Sequence, residues 1–365
     1  MPQTIKLRNG DFMKKRNTKY LHLPCHIFFI LLLIFSLFFS STPIQAAACP
    51  KVHAHAYVIM DANTGKVLLS KQSKKKIYPA STVKLMTALV VLDKYKTTKK
   101  IKITKRMVKQ FPSSASKVGL VAGNSYTVSD LLHMLLLPSA GDAAIVLAIA
   151  THGSHTSFAR AMNQKASTLN MKHSSFDNAI GLDIGDDYYN TYGTAADFAI
   201  LARYAMSVPA IRSIVTKASY IVPKSKYSKA FRIVNTNQFL SEFSYNQKLY
   251  QMIGGKTGTT KAAGSVLITT AKDQYGHEII CAFFGNDDRE QMYKDIRKLL
   301  NYTFKQGKAG KLKYKKGFWD TRYRLNGPLV HKYYNQGKLP VTQRFYPEKK
   351  EKQATLLSKI GRAHV

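Results

Sequence analysis

Cysteine and carboxylate are both scarce in this chain. Three Cys in 365 residues exclude a disulfide-stapled scaffold. Twenty Asp and Glu stand against 56 Lys and Arg, a formal net charge of +36. So strong a basic excess calls for a polyanionic neighbour: nucleic acid, anionic lipid or an acidic cell-wall polymer. Internal repeats and low-complexity periods are missing, which excludes solenoids and collagen-like rods. No His-Glu-x-x-His spacing is present, so His53, His55, His133, His152, His155 and His173 give no metal site. His133 reads as a satisfied core residue within an apolar helix. What remains is 45% hydrophobic, with 21 Tyr and 18 Phe, enough apolar mass for a folded core.

The N-terminus decides where that core is delivered. A basic stretch begins at Met13-Lys14-Lys15-Arg16. An apolar run from Ile27 to Phe39 follows, interrupted only by Ser36, and then the small-residue patch Ala46-Ala47-Ala48. This order reads as a secretory signal peptide over residues 1–48, with Met13 as the expected start. The run is short for a membrane span. Six basic residues and one acid precede Cys49, which leaves 50 basic and 19 acidic residues, +31, on the exported chain. Export removes nucleic acid from the expected partners. It favours an anionic cell-wall polymer or a membrane surface. Cys25 lies in the leader, and Cys49 follows it closely enough to raise lipidation. Cys281, in an apolar run, reads as a buried strand residue.

Between the ends, a hairpin over 54–70 precedes a mostly buried helix over 82–94. Helical stretches follow near 128–136, 142–151, 156–169 and 194–206. Strands are expected at 219–222, 232–234, 254–257, 265–271 and 278–284, and a last helix at 289–303. Segregated blocks of this kind predict an α+β fold with a mainly antiparallel sheet. Strands from both ends would join one sheet, with the helical block inserted between them. The folded domain is placed at 49–305. A basic, aromatic extension covers 306–359. The last six residues, 360–365, match the translation of a common sequencing-library adapter and are set aside as an artefact.

Three short motifs carry chemistry. In Ser81-Thr82-Val83-Lys84 the Ser and Lys are three apart at a helix start, on one face and within reach of each other. A hydroxyl needs such a base to become a nucleophile, and the amine must be neutral to serve. Ser139-Ala140-Gly141-Asp142 separates two apolar helices, and by itself reads as a turn capped by Asp142. Gly254-Gly255-Lys256-Thr257-Gly258-Thr259-Thr260 offers glycines, a cation and hydroxyls. It lacks the full spacing of a phosphate loop, because Tyr250 stands where the first Gly is required. Asp186-Asp187 and Asp287-Asp288 read as loop carboxylates, without further support for glycosidase chemistry.

A Ser-x-x-Lys, then a Ser motif, then Lys-Thr-Gly, in this order and behind an export signal, resembles the D-alanyl-D-alanine carboxypeptidases, the low-molecular-mass penicillin-binding proteins. The resemblance covers roughly 54–304. It extends to Leu135-Leu136-Leu137-Pro138-Ser139, Asn178-Ala179-Ile180-Gly181-Leu182-Asp183 and the run from Ala195 to Tyr204. It implies a β-lactamase/transpeptidase-like fold with an inserted helical subdomain. It also implies acyl transfer on peptidoglycan stem peptides, without metal or cofactor, and covalent inhibition by β-lactam antibiotics. Ser81 would be the nucleophile, Lys84 its base, and Ser139 a proton relay. Lys256, Thr257, Gly258 and Thr259 would hold the substrate. A class A β-lactamase is not favoured, because no Glu-x-x-x-Asn context lies between the second and third motifs. One departure stands out: Gly141 occupies the position where the family usually has Asn. A non-catalytic or weakly active wall-binding homologue therefore stays open beside the serine carboxypeptidase.

Overall fold

A computed structural model describes residues 49–111, 113–182 and 190–308. The leader, the extension beyond 308, and Asp186-Asp187 lie outside the described residues. In chain order the elements are β1 (Ala56–Asp61), β2 (Val67–Lys71), β3 (Lys76–Ile77), a 3-10 turn (Ala80–Val83), α1 (Lys84–Lys94), β4 (Lys100–Lys102), α2 (Lys105–Val108), β5 (Ser125–Thr127), α3 (Val128–Leu136), α4 (Gly141–His152), α5 (His155–Thr168), β6 (Gly193–Thr194), α6 (Ala195–Ser207), α7 (Pro209–Val215), β7 (Ser219–Val222), β8 (Phe231–Val234), a second 3-10 turn (Gln238–Leu240), β9 (Gln251–Thr260), β10 (Gly264–Lys272), β11 (Glu278–Asn286) and α8 (Arg289–Lys308).

The main sheet runs β2-β1-β11-β10-β9, antiparallel throughout. Strands from the two ends of the domain thus meet at β1–β11, and the helices α1 to α7 lie between them in sequence. Alternation along the strands feeds two cores. Val58 and Met60 of β1 and Ile280, Ala282 and Phe284 of β11 face the helical block. Tyr57, Ile59, Ile279, Cys281 and Phe283 face the opposite way, toward α8. There Met292, Tyr293, Ile296, Leu299, Leu300 and Phe304 form the apolar stripe of an amphipathic helix. A strand buried on both faces must be apolar at every position, and β11 is nearly so. Helix α4 differs from α8. It is buried on almost every side from Gly141 to Ile149, as the central helix of the block.

Local chemistry sets the helix starts near the site. Thr127 and Asp130 form a reciprocal cap on α3. The Thr194 hydroxyl accepts from the Asp197 N–H at the start of α6. The expected element types stand throughout. The structure adds the two-stranded pairs β3–β6 and β4–β5 and the short helices α2 and α7, all too short to show a period, and extends the Lys-Thr-Gly strand to ten residues.

Candidate active site

The first and third motifs meet where β9 passes the turn ahead of α1, and the second is tied to β9 through Leu137, whose carbonyl accepts from the N–H of Thr236 beside Thr257. Ser81 lies in that turn, immediately after Ala80, whose φ of +46° is rare for a residue with a Cβ. Ser81 makes no helix cap. Lys84, one turn on, places Nζ 2.7 Å from Ser81 Oγ and 2.8 Å from the Ile180 carbonyl. That carbonyl is aimed by Asn178. The Asn178 side-chain oxygen accepts from the Ile180 and Gly181 N–H groups, and its amide donates to Leu182 O. Lys84 is 1% exposed, and burial brings its ammonium down to about 7. A neutral amine beside a serine hydroxyl can accept its proton.

Ser139 stands two residues after Leu137, whose carbonyl accepts from Thr236. It is 9% exposed and sits at φ +67°, a left-handed conformation that costs a non-glycine residue about 1 kcal/mol or more. Its Oγ is buried without a hydrogen-bond partner. An orphaned hydroxyl on a strained backbone is costly for the fold and useful to a ligand that supplies the missing bond.

The third motif lies on β9. Lys256 is buried, and its Nζ donates to Thr257 O at 2.8 Å. Burial first, and then the neighbouring Lys84 and Arg289 charges, push its ammonium well below the usual lysine range. Gly258 brings strand backbone onto the Ser81 turn. A Cβ there would stand 2.8 Å from the Ser81 nitrogen and 3.0 Å from Ala80 Cβ, so only glycine permits the approach. Two residues enter that the motifs did not announce. Thr236 places Oγ1 2.5 Å from Thr257 Oγ1. Arg289, at the start of α8, donates to Thr236 O at 3.1 Å. Both lie in ordinary-looking segments. The only sequence signal for either was a basic residue at the start of the last helix. Among the described residues no group of three His, Cys, Asp or Glu is placed to hold a metal ion.

Gly141 and Asp142 do something other than cap a helix. Helix α4 starts after Ala140 without a side-chain cap. The Asp142 carboxylate, fully buried, reaches back across the loop before β5. It accepts N–H bonds from Val118 (3.2 Å to Oδ2), Gly119 (3.0 Å) and Leu120 (3.0 Å), besides its own neighbour Ala143. The same loop rests on Gly141, whose N–H donates to Ser116 O at 2.7 Å. A Cβ on Gly141 would meet Ala115 Cβ at 2.6 Å and Ser116 O at 3.3 Å. The space of an Asn side chain is thus filled by the loop. Gly141→Asn is therefore expected to destabilise the protein by about 1–3 kcal/mol through overpacking. Thermal denaturation should show a melting point lower by several degrees. Pairing it with Ala115→Gly should recover part of that loss. An unchanged melting point for the single variant would contradict the packing argument.

The arrangement sets a serine hydroxyl against a buried amine, with an unpartnered hydroxyl and a buried strand lysine as the other two motif groups. Its sequence and fold have known counterparts. The profile of the D-alanyl-D-alanine carboxypeptidase family, Peptidase S11, matches residues 43–288. The carboxypeptidase DacF of Bacillus subtilis is 29% identical over 260 residues, 69% of this chain and 62% of that protein. DacB2 of Mycobacterium tuberculosis is 30% identical over 67% of this chain and 79% of its own length. The chain thus spans less than two thirds of DacF, and 64% of DacC of Escherichia coli. Among solved structures, the Streptomyces K15 DD-transpeptidase aligns with a TM-score of 0.64 at 29% identity, over 71% of this chain and all of that one. A D-alanyl-D-alanine carboxypeptidase from Mycobacterium tuberculosis gives 0.64 at 27% identity, over 72% and 95%. A profile covering most of the folded domain, with solved relatives of the same architecture, assigns the chain: it belongs to the S11 family of D-alanyl-D-alanine carboxypeptidases.

Proposed function

We propose that the protein is a serine-type D-Ala-D-Ala carboxypeptidase that removes the terminal D-alanine from peptidoglycan pentapeptide stems. The observation that supports this best is the 2.7 Å approach of a buried, largely desolvated Lys84 amine to Ser81 Oγ. Ser81 Oγ attacks the carbonyl of the terminal peptide bond while its proton passes to Lys84 Nζ. The N–H groups of Ser81 and Thr259 face the developing oxyanion. Preorganised donors of this type contribute roughly 3–4 kcal/mol each. Ser139, whose hydroxyl is otherwise unpartnered, relays a proton to the leaving amine. Thr257 and Thr259 hold the terminal carboxylate, whose negative charge favours the charged form of Lys256 beside Arg289. Collapse of the tetrahedral adduct expels D-alanine and leaves an ester on Ser81, which water then hydrolyses. A β-lactam, whose ring amide imitates the scissile bond, forms the same ester and stays.

The reading puts the enzyme outside the cytoplasm, in the cell envelope, where its basic charge meets anionic polymer or membrane. The test is direct. Purified protein is incubated with a labelled penicillin and, separately, with a pentapeptide ending in D-Ala-D-Ala. Both a covalent adduct and free D-alanine are expected. An adduct without released D-alanine would favour the weakly active binding homologue, and Gly141 would be the place to look.

The lysine also predicts a pH dependence. Acylation needs neutral Lys84. With its ammonium brought down to about 7, the neutral fraction grows as pH rises through that value. The second-order rate of penicillin adduct formation should therefore climb about tenfold per pH unit on the acid side and level off about one unit above the midpoint. A rate that stays flat between about pH 5.5 and 8.5 would remove Lys84 as the base.

A further inference from the structure

The hairpin β7–β8 grows from the wall of the site and returns to it. At its base Asn235 N–H donates to Ala218 O at 2.8 Å, and Thr236 follows at once, beside Thr257. No Asp or Glu stands between Asp197 and Glu242, a span with seven basic residues. Three of these serve the fold. Arg212 pairs with Glu278, Arg203 donates to the Ala62 and Asn63 carbonyls, and Lys217 lies 3.0 Å from His133 Nε2. The other four, Lys224, Lys226, Lys229 and Arg232, are exposed on the hairpin with no carboxylate in it to pair with.

The inner face and the tip are tied down. Val222 and Ile233 are buried. Tyr220 stacks on His133 with centroids 3.7 Å apart and donates to Asp130 at 2.7 Å. At the tip, Tyr227 N–H donates to Asn124 Oδ1 at 2.7 Å, and the Asn124 amide donates to Ser228 Oγ at 2.8 Å. The outer face has the opposite character. Register sets Ile221 opposite Arg232 and Ser219 opposite Val234, so all four share the outward side. Ile221 is 59% exposed and Val234 57%. Tyr227 is 57% exposed, with the Lys226 ammonium 4.8 Å from its ring centroid. Val121, 43% exposed, lies in the loop that receives the tip. The described residues leave six large apolar side chains exposed, and four of them are here.

Single exposed apolar residues need no explanation, but a cluster ringed by lysines does. We infer that this hairpin is a membrane-docking surface that seats on an anionic phospholipid bilayer. Lysine ammoniums meet headgroup phosphates, the Tyr227 ring lies at the interface, and Ile221 and Val234 reach the acyl boundary. A soluble phosphate polymer would be served by the cations alone and would leave both aliphatic side chains in water. Because the hairpin is already ordered, docking costs little chain entropy. The inference is independent of the reaction, since it concerns binding alone.

Flotation of the exported chain, from Cys49 onward, with phosphatidylcholine vesicles, with and without phosphatidylglycerol, tests it. Binding is expected only with the anionic lipid. Neutralising the tip (Lys224→Gln, Lys226→Gln, Lys229→Gln together) should lower partition about 100-fold, at about fivefold per lysine. Ile221→Ser with Val234→Ser should lower it about tenfold. A Tyr227→Trp reporter in a Trp319→Phe background should shift its emission to the blue with anionic vesicles and not with soluble polyphosphate. Circular dichroism and penicillin labelling confirm that the variants are folded. Unchanged binding by the triple variant would assign membrane affinity to other basic segments and overturn the inference. Loss on neutralisation, but with no effect of the Ser pair and no blue shift, would make this a polyanion surface instead and also overturn it.

Discussion

Replacing Ser81 by alanine is expected to abolish the penicillin adduct and to lower D-alanine release by a factor on the order of 10⁴ to 10⁶. The size follows from what the oxygen does. In the proposed reaction it is the bond-forming atom, so no neighbouring group substitutes for it. Residual turnover would come only from oxyanion stabilisation and binding, acting on attack by water. The variant should remain folded. Ser81 is only partly buried, and Lys84, which loses a partner at 2.7 Å, keeps the Ile180 carbonyl at 2.8 Å. Stability should change by about 1 kcal/mol or less, the scale of one hydrogen bond between groups that stay solvated or keep another partner. Mass spectrometry of the protein after penicillin exposure, beside a melting curve, separates the two effects. An adduct that survives in Ser81→Ala would place the nucleophile elsewhere. A variant that no longer folds would show that the hydroxyl holds the turn, contrary to the hydrogen bonds seen there.

Much of this site was legible in the sequence because its parts are local. Ser81 and Lys84 are three residues apart, and any helical turn brings such a pair together. Lys256, Thr257 and Gly258 form one strand segment, with glycine marking a close approach. The sheet was legible for a related reason: β1, β10 and β11 are apolar runs bounded by turn residues. What escaped is what tertiary contact decides. Thr236 lies 20 residues before Lys256 in an unremarkable Asn-Thr-Asn, and only the exit of β8 beside β9 brings its hydroxyl to Thr257. Arg289 reads as a surface cation on an amphipathic helix until α8 is seen to begin beside Thr236. The left-handed φ of Ala80 and Ser139 has no residue signal at all, since neither is glycine or asparagine. The role of Asp142 was misread for the same reason. By spacing it was a cap, but its partners are 22 to 24 residues away, on a loop with no periodicity.

Those partners make Asp142 the anchor of the loop that packs on Gly141. Asp142→Ala would leave the Val118, Gly119 and Leu120 N–H groups without their shared acceptor. Hydrogen bonds to a charged group contribute about 1.5–3 kcal/mol each, but these three would not add, because Gly119 is exposed and its freed N–H finds water. A loss of about 3 kcal/mol is expected, or roughly 6–12 °C in melting temperature for a domain of this size. Asp142→Asn should lose about half as much. It keeps one acceptor oxygen and turns an NH₂ toward N–H donors that cannot receive it. The site should suffer with the loop, because Ala115 and Ser116 lie against Gly141, two residues from Ser139. Acylation should slow in Asp142→Ala even well below its melting point, while the Ser81–Lys84 pair is untouched. Limited trypsin digestion gives an independent reading: Lys117 is exposed in that loop and should be cut faster once the carboxylate no longer holds it. A melting temperature within about 1 °C of the parent protein, with the loop no more sensitive to trypsin, would mean that these hydrogen bonds record the loop's position without determining it.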